Sequence, residues 1–125
     1  MLTVGPVWAS PDWIEYAQTE SSSFHYDPVN VRKPGGFPKK PPNLMRIWSV
    51  ENLKSPTAGG VKSERSQFEF DCVVGTVRRV SMAAFSAPMA TGKELSRQSS
   101  ASSWFTITPQ TPLAQLRQLA CAAIN

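Results

Sequence analysis

From residue 67 to residue 72 the chain alternates strictly, with Phe68, Phe70 and Cys72 on one side and Gln67, Glu69 and Asp71 on the other. A period of two is the signature of a half-buried strand. Gly75 then marks a hairpin turn, and residues 76–85 return as the partner strand. Upstream, residues 12–19 set Trp13, Glu15 and Ala17 against Ile14 and Tyr16 and predict a first strand. The serines at 21–23 predict a turn, and residues 24–27 a short extended piece ended by Pro28. In residues 44–50 one face carries Leu44, Arg46, Trp48 and Val50, the other Met45, Ile47 and Ser49. Both faces are partly apolar, which predicts an inner position in a sheet.

Between these strands, residues 32–43 hold four prolines and two glycines and read as a loop with polyproline II character. Residues 54–66, polar and bearing Gly59-Gly60, read as a long connection. Residues 86–103, broken by Pro88 and Gly92, read as a mobile excursion with room for a short hairpin, and residues 104–107 as a brief return to the core. A helix is predicted over residues 112–124. Thr111 is its N-cap and Pro112 takes the first position, where a missing N–H costs nothing. Leu113, Leu116, Leu119, Ala120, Ala123 and Ile124 form its apolar stripe, and Cys121 falls at the stripe's edge, facing the sheet. The sum is an α+β domain, a mainly antiparallel β-sheet packed by a C-terminal α-helix.

A length of 125 residues with 41% hydrophobic and 18% charged residues suits one folded domain, and four tryptophans with six phenylalanines supply large anchors. The domain is expected over residues 12–125, with residues 1–11 a leader remnant or flexible N-terminal segment. That start is apolar but has no basic n-region. No apolar run approaches the roughly 20 residues of a membrane-spanning helix. A net charge of +4 and a pI near 9.4 favour anionic surfaces only mildly. No nucleic-acid motif accompanies that charge, and no nucleic-acid partner is expected.

Cys72 and Cys121 lack CxxC spacing, and with a single histidine there are too few ligands for structural zinc. From the residues alone, two buried thiols and a disulfide both stay open. His25, the one histidine, sits between Phe24 and Tyr26, no GxSxG surrounds a serine, and the nine carboxylates are scattered. Gly35-Gly36 and Gly59-Gly60 are loop glycines rather than a phosphate-binding fingerprint. No catalytic residue, cofactor or metal ligand is predicted, and the chain is not expected to be an enzyme. The candidate binding loop is the stiff basic segment with Arg32, Lys33, Phe37, Lys39 and Lys40, whereas Arg78 and Arg79 point to opposite faces of one strand.

In order and spacing, several elements resemble the bacterial surface-adhesin protein E-like family, small exported proteins grouped with meningococcal adhesin E and Haemophilus protein E. They are Tyr26-Asp27-Pro28, Met45-Arg46-Ile47-Trp48, Phe68 to Cys72, Arg78-Arg79-Val80, Trp104, Ile107, Pro109, and a helix with Leu116 and Cys121. The likeness covers residues 13 to 122. It implies an antiparallel sheet with a terminal helix, a Cys72–Cys121 disulfide, and export to the periplasm or cell surface of a Gram-negative bacterium. It also implies a binding role toward a host-surface or matrix protein, a glycan or an envelope component, through an exposed patch and without a deep polar pocket. It transfers no functional site. The proline- and lysine-bearing insertion at 33–43 departs from the family pattern, and no lipobox cysteine near the start supports lipid anchoring. Two alternatives stand beside this reading. One is an accessory periplasmic domain acting through self-association; the other is a hydrolase whose carboxylates and His25 converge in a cleft.

Overall fold

The computed structural model describes residues 11–35 and 43–123. Residues 1–10 of the proposed N-terminal segment, and Phe37, Lys39 and Lys40, therefore lie outside the described residues. Besides a 3-10 turn at Pro28–Asn30, seven strands and one α-helix follow in chain order: β1 (Ile14–Gln18), β2 (Ser22–Tyr26), β3 (Leu44–Leu53), β4 (Ser63–Asp71), β5 (Thr76–Ala87), β6 (Thr91–Gln98), β7 (Phe105–Thr106) and α1 (Pro112–Ala122). The sheet is an antiparallel meander in chain order from β1 to β6, and β7 pairs with the start of β5 beyond the reach of β6.

Register places Met45 opposite Phe70, Ile47 opposite Phe68, and Phe70 opposite Val77. These side chains share one face, and α1 lays Leu116 and Ala120 over them to close the core. Each large side chain buried there contributes about 1.5–3 kcal/mol. The helix starts where its cap predicts, with the Thr111 hydroxyl accepting from the Ala114 N–H at 3.2 Å. At 11 residues it is too short to hold together alone, so packing and its covalent tether maintain it. Cys121 is bonded to Cys72, joining the helix to the β4–β5 hairpin. Cys72 is the first residue of the turn after β4 rather than the end of the strand.

Three expectations need correction, each for a physical reason. The turn at 21–23 and the connection at 54–66 are shorter than predicted, because Ser22 begins β2, β3 runs to Leu53, and Ser63 begins β4. Ser22 and Ser63 are fully buried yet satisfied: Ser22 Oγ donates to Glu51 Oε2 at 2.7 Å and Ser63 Oγ to the Ala87 carbonyl at 2.6 Å. A polar residue with a partner is at home in a strand interior, although its hydrophilicity mimics a loop. The excursion at 86–103 is a regular hairpin of β5 with β6. Every residue of β6 is exposed, so no apolar alternation announces it. Its charges, Lys93, Glu94 and Arg97, suit an edge strand that must not pair further.

At the β5–β6 turn, Met89 and Ala90 have φ of 59° and 57°, a region costly for residues with a Cβ. Ala90→Gly is expected to stabilise the fold by about 1 kcal/mol. Gly92 has φ of +80°, and a Cβ there would lie 2.7 Å from Ser86 Oγ and 2.9 Å from Ala87 Cβ. Gly92→Ala is expected to cost about 1–3 kcal/mol. Urea denaturation midpoints of the two variants, moving in opposite directions, check both.

A candidate binding surface on the open face of the sheet

Helix α1 packs on one face of the sheet; no helix packs on the other, the open face, where Leu44, Val50, Ala83 and Phe85 are buried beneath half-buried arginines. On the open face, a rung runs straight across three strands, with Arg46 (β3) opposite Glu69 (β4) and Glu69 opposite Arg78 (β5). Arg46 Nε donates to Glu69 Oε2 at 3.0 Å, and Arg78 Nε to Glu69 Oε1 at 2.7 Å. The Glu69 side chain is 1% exposed while its two arginines keep 29% and 31%. The carboxylate is thus enclosed and the guanidinium groups reach solvent. Arg78 also stacks against Trp104, its carbon 4.8 Å from the ring centre.

A second cluster lies further along the same strands, with Arg65 four residues before Glu69 on β4. The Arg65 guanidinium sits 5.5 Å from the Trp48 ring centre and 5.2 Å from that of Phe85. Phe85 reaches this face because of a bulge. Phe68 pairs with Arg79 but Gln67 pairs with Ser81, so Val80 is the extra residue and the alternation of β5 reverses beyond it. Burial pushes Arg65 below its ordinary value, the nearby Arg97 charge pushes it further, and Glu94 opposes both. Arg65 Nε is enclosed and has no hydrogen-bond partner among the described residues. Arg97 holds Glu94 at 2.7 Å on the exposed edge strand, and a recess of about 40 Å³ lies between Trp48, Arg65 and Arg97.

Of the predicted binding loop, Arg32 and Lys33 are both exposed. Backbone hydrogen bonds of 3.1 and 2.8 Å stitch Arg32 to Arg46, so the segment leaves the sheet beside the first rung. The strongest features of this surface, Arg65, Trp48, Glu69 and Trp104, were absent from the sequence prediction. Alternation could have placed Arg46 with Trp48 and Glu69 with Arg65, but only register shows which strands stand side by side. His25 lies opposite Val50 on this face, its Nε2 3.2 Å from Ser23 Oγ. Glu51 and Glu64, the carboxylates that do come together, face the helix side. On its own face His25 has a single cross-strand carboxylate, Glu15 of β1, while the Glu51–Glu64 pair lies on the other side of the sheet. Among the described residues no cluster of histidine, cysteine and carboxylates gathers as a metal site.

The helix side carries a cavity of about 500 Å³ between the start of α1, strands β3 to β5 and residues 98–105. Tyr16, Phe24, Phe68 and Phe105 contribute its aromatic lining. Tyr16 donates to or accepts from Ser49 Oγ at 2.8 Å; burial raises its hydroxyl to about 12, with Ser49 lowering it and Glu51 adding to the rise.

A six-strand meander and a helix locked to it by a disulfide define a disulfide-clasped α+β domain. The chain belongs to the surface-adhesin protein E family, whose model matches residues 13–122. It is similar in fold to Haemophilus influenzae protein E, with a TM-score of 0.67 at 15% identity over 98% of this chain and 92% of that one. A second crystal form of that protein gives 0.67 at 16% identity over 98% and 96%. Protein E from non-typeable Haemophilus influenzae gives 0.62 at 15% over 92% and 82%. No curated protein matches the chain in sequence. Membership of an adhesin family implies an exported protein and a binding rather than a catalytic role. Among the described residues no helix is long and apolar enough to cross a membrane.

Proposed function

We propose that this chain is an adhesin of the Gram-negative cell surface that meets its target through the open face of the sheet. The target is a host-surface or matrix component presenting acidic groups. One observation carries the reading: Arg65, braced by Trp48 and Phe85, is in no ion pair among the described residues. A guanidinium held by two rings is pre-organised and keeps donors for an incoming sulfate or carboxylate. On the same face Arg46 and Arg78 flank the single carboxylate of Glu69, so that rung carries surplus positive charge. Lys33, next to Arg32 on the segment that starts beside Arg46, adds positive charge, and the sequence that follows carries Phe37, Lys39 and Lys40.

Heparin and polyglutamate serve as sulfated and carboxylated probes. Retention of the full chain on one of them is expected to fall as salt rises. Arg65→Met, which keeps the packing against Trp48 and Phe85, is expected to weaken it about fivefold, on the order of 1 kcal/mol. Binding to neither probe at physiological salt, with a concentration-dependent dimer in sedimentation, would transfer the role to self-association.

A further inference from the structure

The cavity on the helix side is built unlike the open face. Glu51 on β3 and Glu64 on β4 stand directly opposite each other and both line it. Like charges in that relation destabilise a sheet unless a cation joins them. Among the described residues neither is in an ion pair. The Ser22 hydroxyl gives Glu51 a hydrogen bond but brings no charge. Arg79, also lining the cavity, sits with its guanidinium carbon 5.7 Å from the Phe68 ring centre, and its enclosed Nε has no partner among the described residues. Along β4 the helix-side positions run Glu64, Ser66, Phe68, and Phe68 pairs with Arg79. The acidic end and the basic end are therefore roughly 13 Å apart, four residues of extended chain.

Between the two ends lie Tyr16, Phe24, Phe68 and Phe105, while Ser66, Gln98 and Ser102 supply hydroxyl and amide groups. An apolar floor, convergent polar groups and a volume of about 500 Å³ are the ordinary attributes of a ligand site. A free cation would satisfy the carboxylates but leave Arg79 and the rings unused. A polyanion would be repelled by Glu51 and Glu64. A peptide fits all three features: a basic side chain, an apolar one two residues on, and a carboxylate two further. In an extended peptide these three point the same way.

We infer that this cavity is a second binding site that takes a short extended peptide segment of a partner protein, with a basic side chain between Glu51 and Glu64 and a carboxylate at Arg79. It lies on the opposite side of the sheet from the open face, so it stands independently of the adhesin reading.

The test uses the full chain, labelled with nitrogen-15, and the capped pentapeptide acetyl-Lys-Ser-Leu-Ser-Asp-amide. Its controls replace the charged ends by Gln and Asn, or the Lys by Asp. The dipolar peptide is expected to shift amide signals around Tyr16, Glu51, Glu64 and Arg79, and both controls are expected to leave them in place. In the variant carrying Glu51→Gln and Glu64→Gln, binding is expected to weaken about tenfold. Its melting temperature should not fall, since two facing charges have been removed. Arg79→Met is expected to weaken binding independently. No shift at millimolar peptide, equal shifts with the uncharged control, shifts confined to Trp48 and Arg65, or unchanged binding by the double variant would each overturn the proposal.

Discussion

Replacing Glu69 by alanine is expected to destabilise the domain by about 3 kcal/mol, the lower end of the cost of breaking a buried ion pair. The side chain is 1% exposed and bonds one arginine with each oxygen. Its loss leaves Arg46 and Arg78 side by side with no anion between them, above a gap the carboxylate filled. The arginines are about 30% exposed, so solvent screens part of their repulsion and the upper end is not reached. The complementary experiment converts the whole rung, with Arg46→Met, Glu69→Leu and Arg78→Met together. That triple variant is expected to be within about 1 kcal/mol of the parent, because apolar replacement removes the desolvation cost along with the pairing. Guanidinium denaturation of the two variants measures both. A destabilised triple variant would show that the rung supports the fold outright; a stable triple variant that loses binding to acidic probes would assign it to recognition.

The second large effect concerns the clasp. Cys72 and Cys121 are 49 residues apart in sequence, and their bond closes the loop holding β5, β6, β7 and most of α1. In the chain-entropy account such a cross-link is worth about 4 kcal/mol. Cys72→Ser with Cys121→Ser, or reduction of the parent, is expected to lower stability by about that amount. The loss should also be uneven. The sheet keeps its hydrogen-bonded ladders, whereas the 11-residue helix holds on mainly through Leu116, Ala120 and their partly buried neighbours. Hydrogen exchange in the reduced protein is therefore expected to lose protection in α1 first, with β3 to β5 protected longer. Uniform loss along the chain would mean that sheet and helix form one cooperative unit even without the clasp.

The clasp and the cavity share a wall. Helix α1 brings Pro112 and Leu113 to the cavity and Cys121 to the hairpin at its far end. A helix fixed at one end by a covalent bond keeps its other end at a set height above the sheet. The disulfide is thus expected to preserve the shape of the cavity as well as the stability of the fold. On the opposite side, the arginines need no such lid. They stand on the three longest strands, β3, β4 and β5, whose ladders hold them in register.

Much of this was legible from residue order, and particular positions show why. Phe68, Phe70 and Cys72 alternate with Gln67, Glu69 and Asp71 because one side of β4 meets a helix and the other meets a polar face. Pro112 after Thr111, followed by leucines three apart, could only begin and bury a helix. The resemblance to a family of exported adhesins supplied the cysteine pairing that spacing alone left open. Periodicity failed where the physics removes its signal. Strand β6 is polar on both sides because both sides face water, and Ser22 and Ser63 are buried with their hydroxyls satisfied, so neither looks like sheet interior.

The alternation around Phe70, with the capped leucine pattern after Thr111, therefore determined that there is a sheet, which side of β4 is apolar, and that a C-terminal helix is there to pack on it. Those are local facts, set by side-chain period and capping chemistry within a few residues. Which residues form a surface was decided only by the tertiary structure. Antiparallel register set Glu69 between Arg46 and Arg78, and Glu51 against Glu64. The one extra residue at Val80 carried Phe85 to the open face beside Arg65. A period of two is blind to what lies across the ladder, and a single-residue bulge reverses every position beyond it. Both surfaces proposed for binding are made of such cross-strand neighbours.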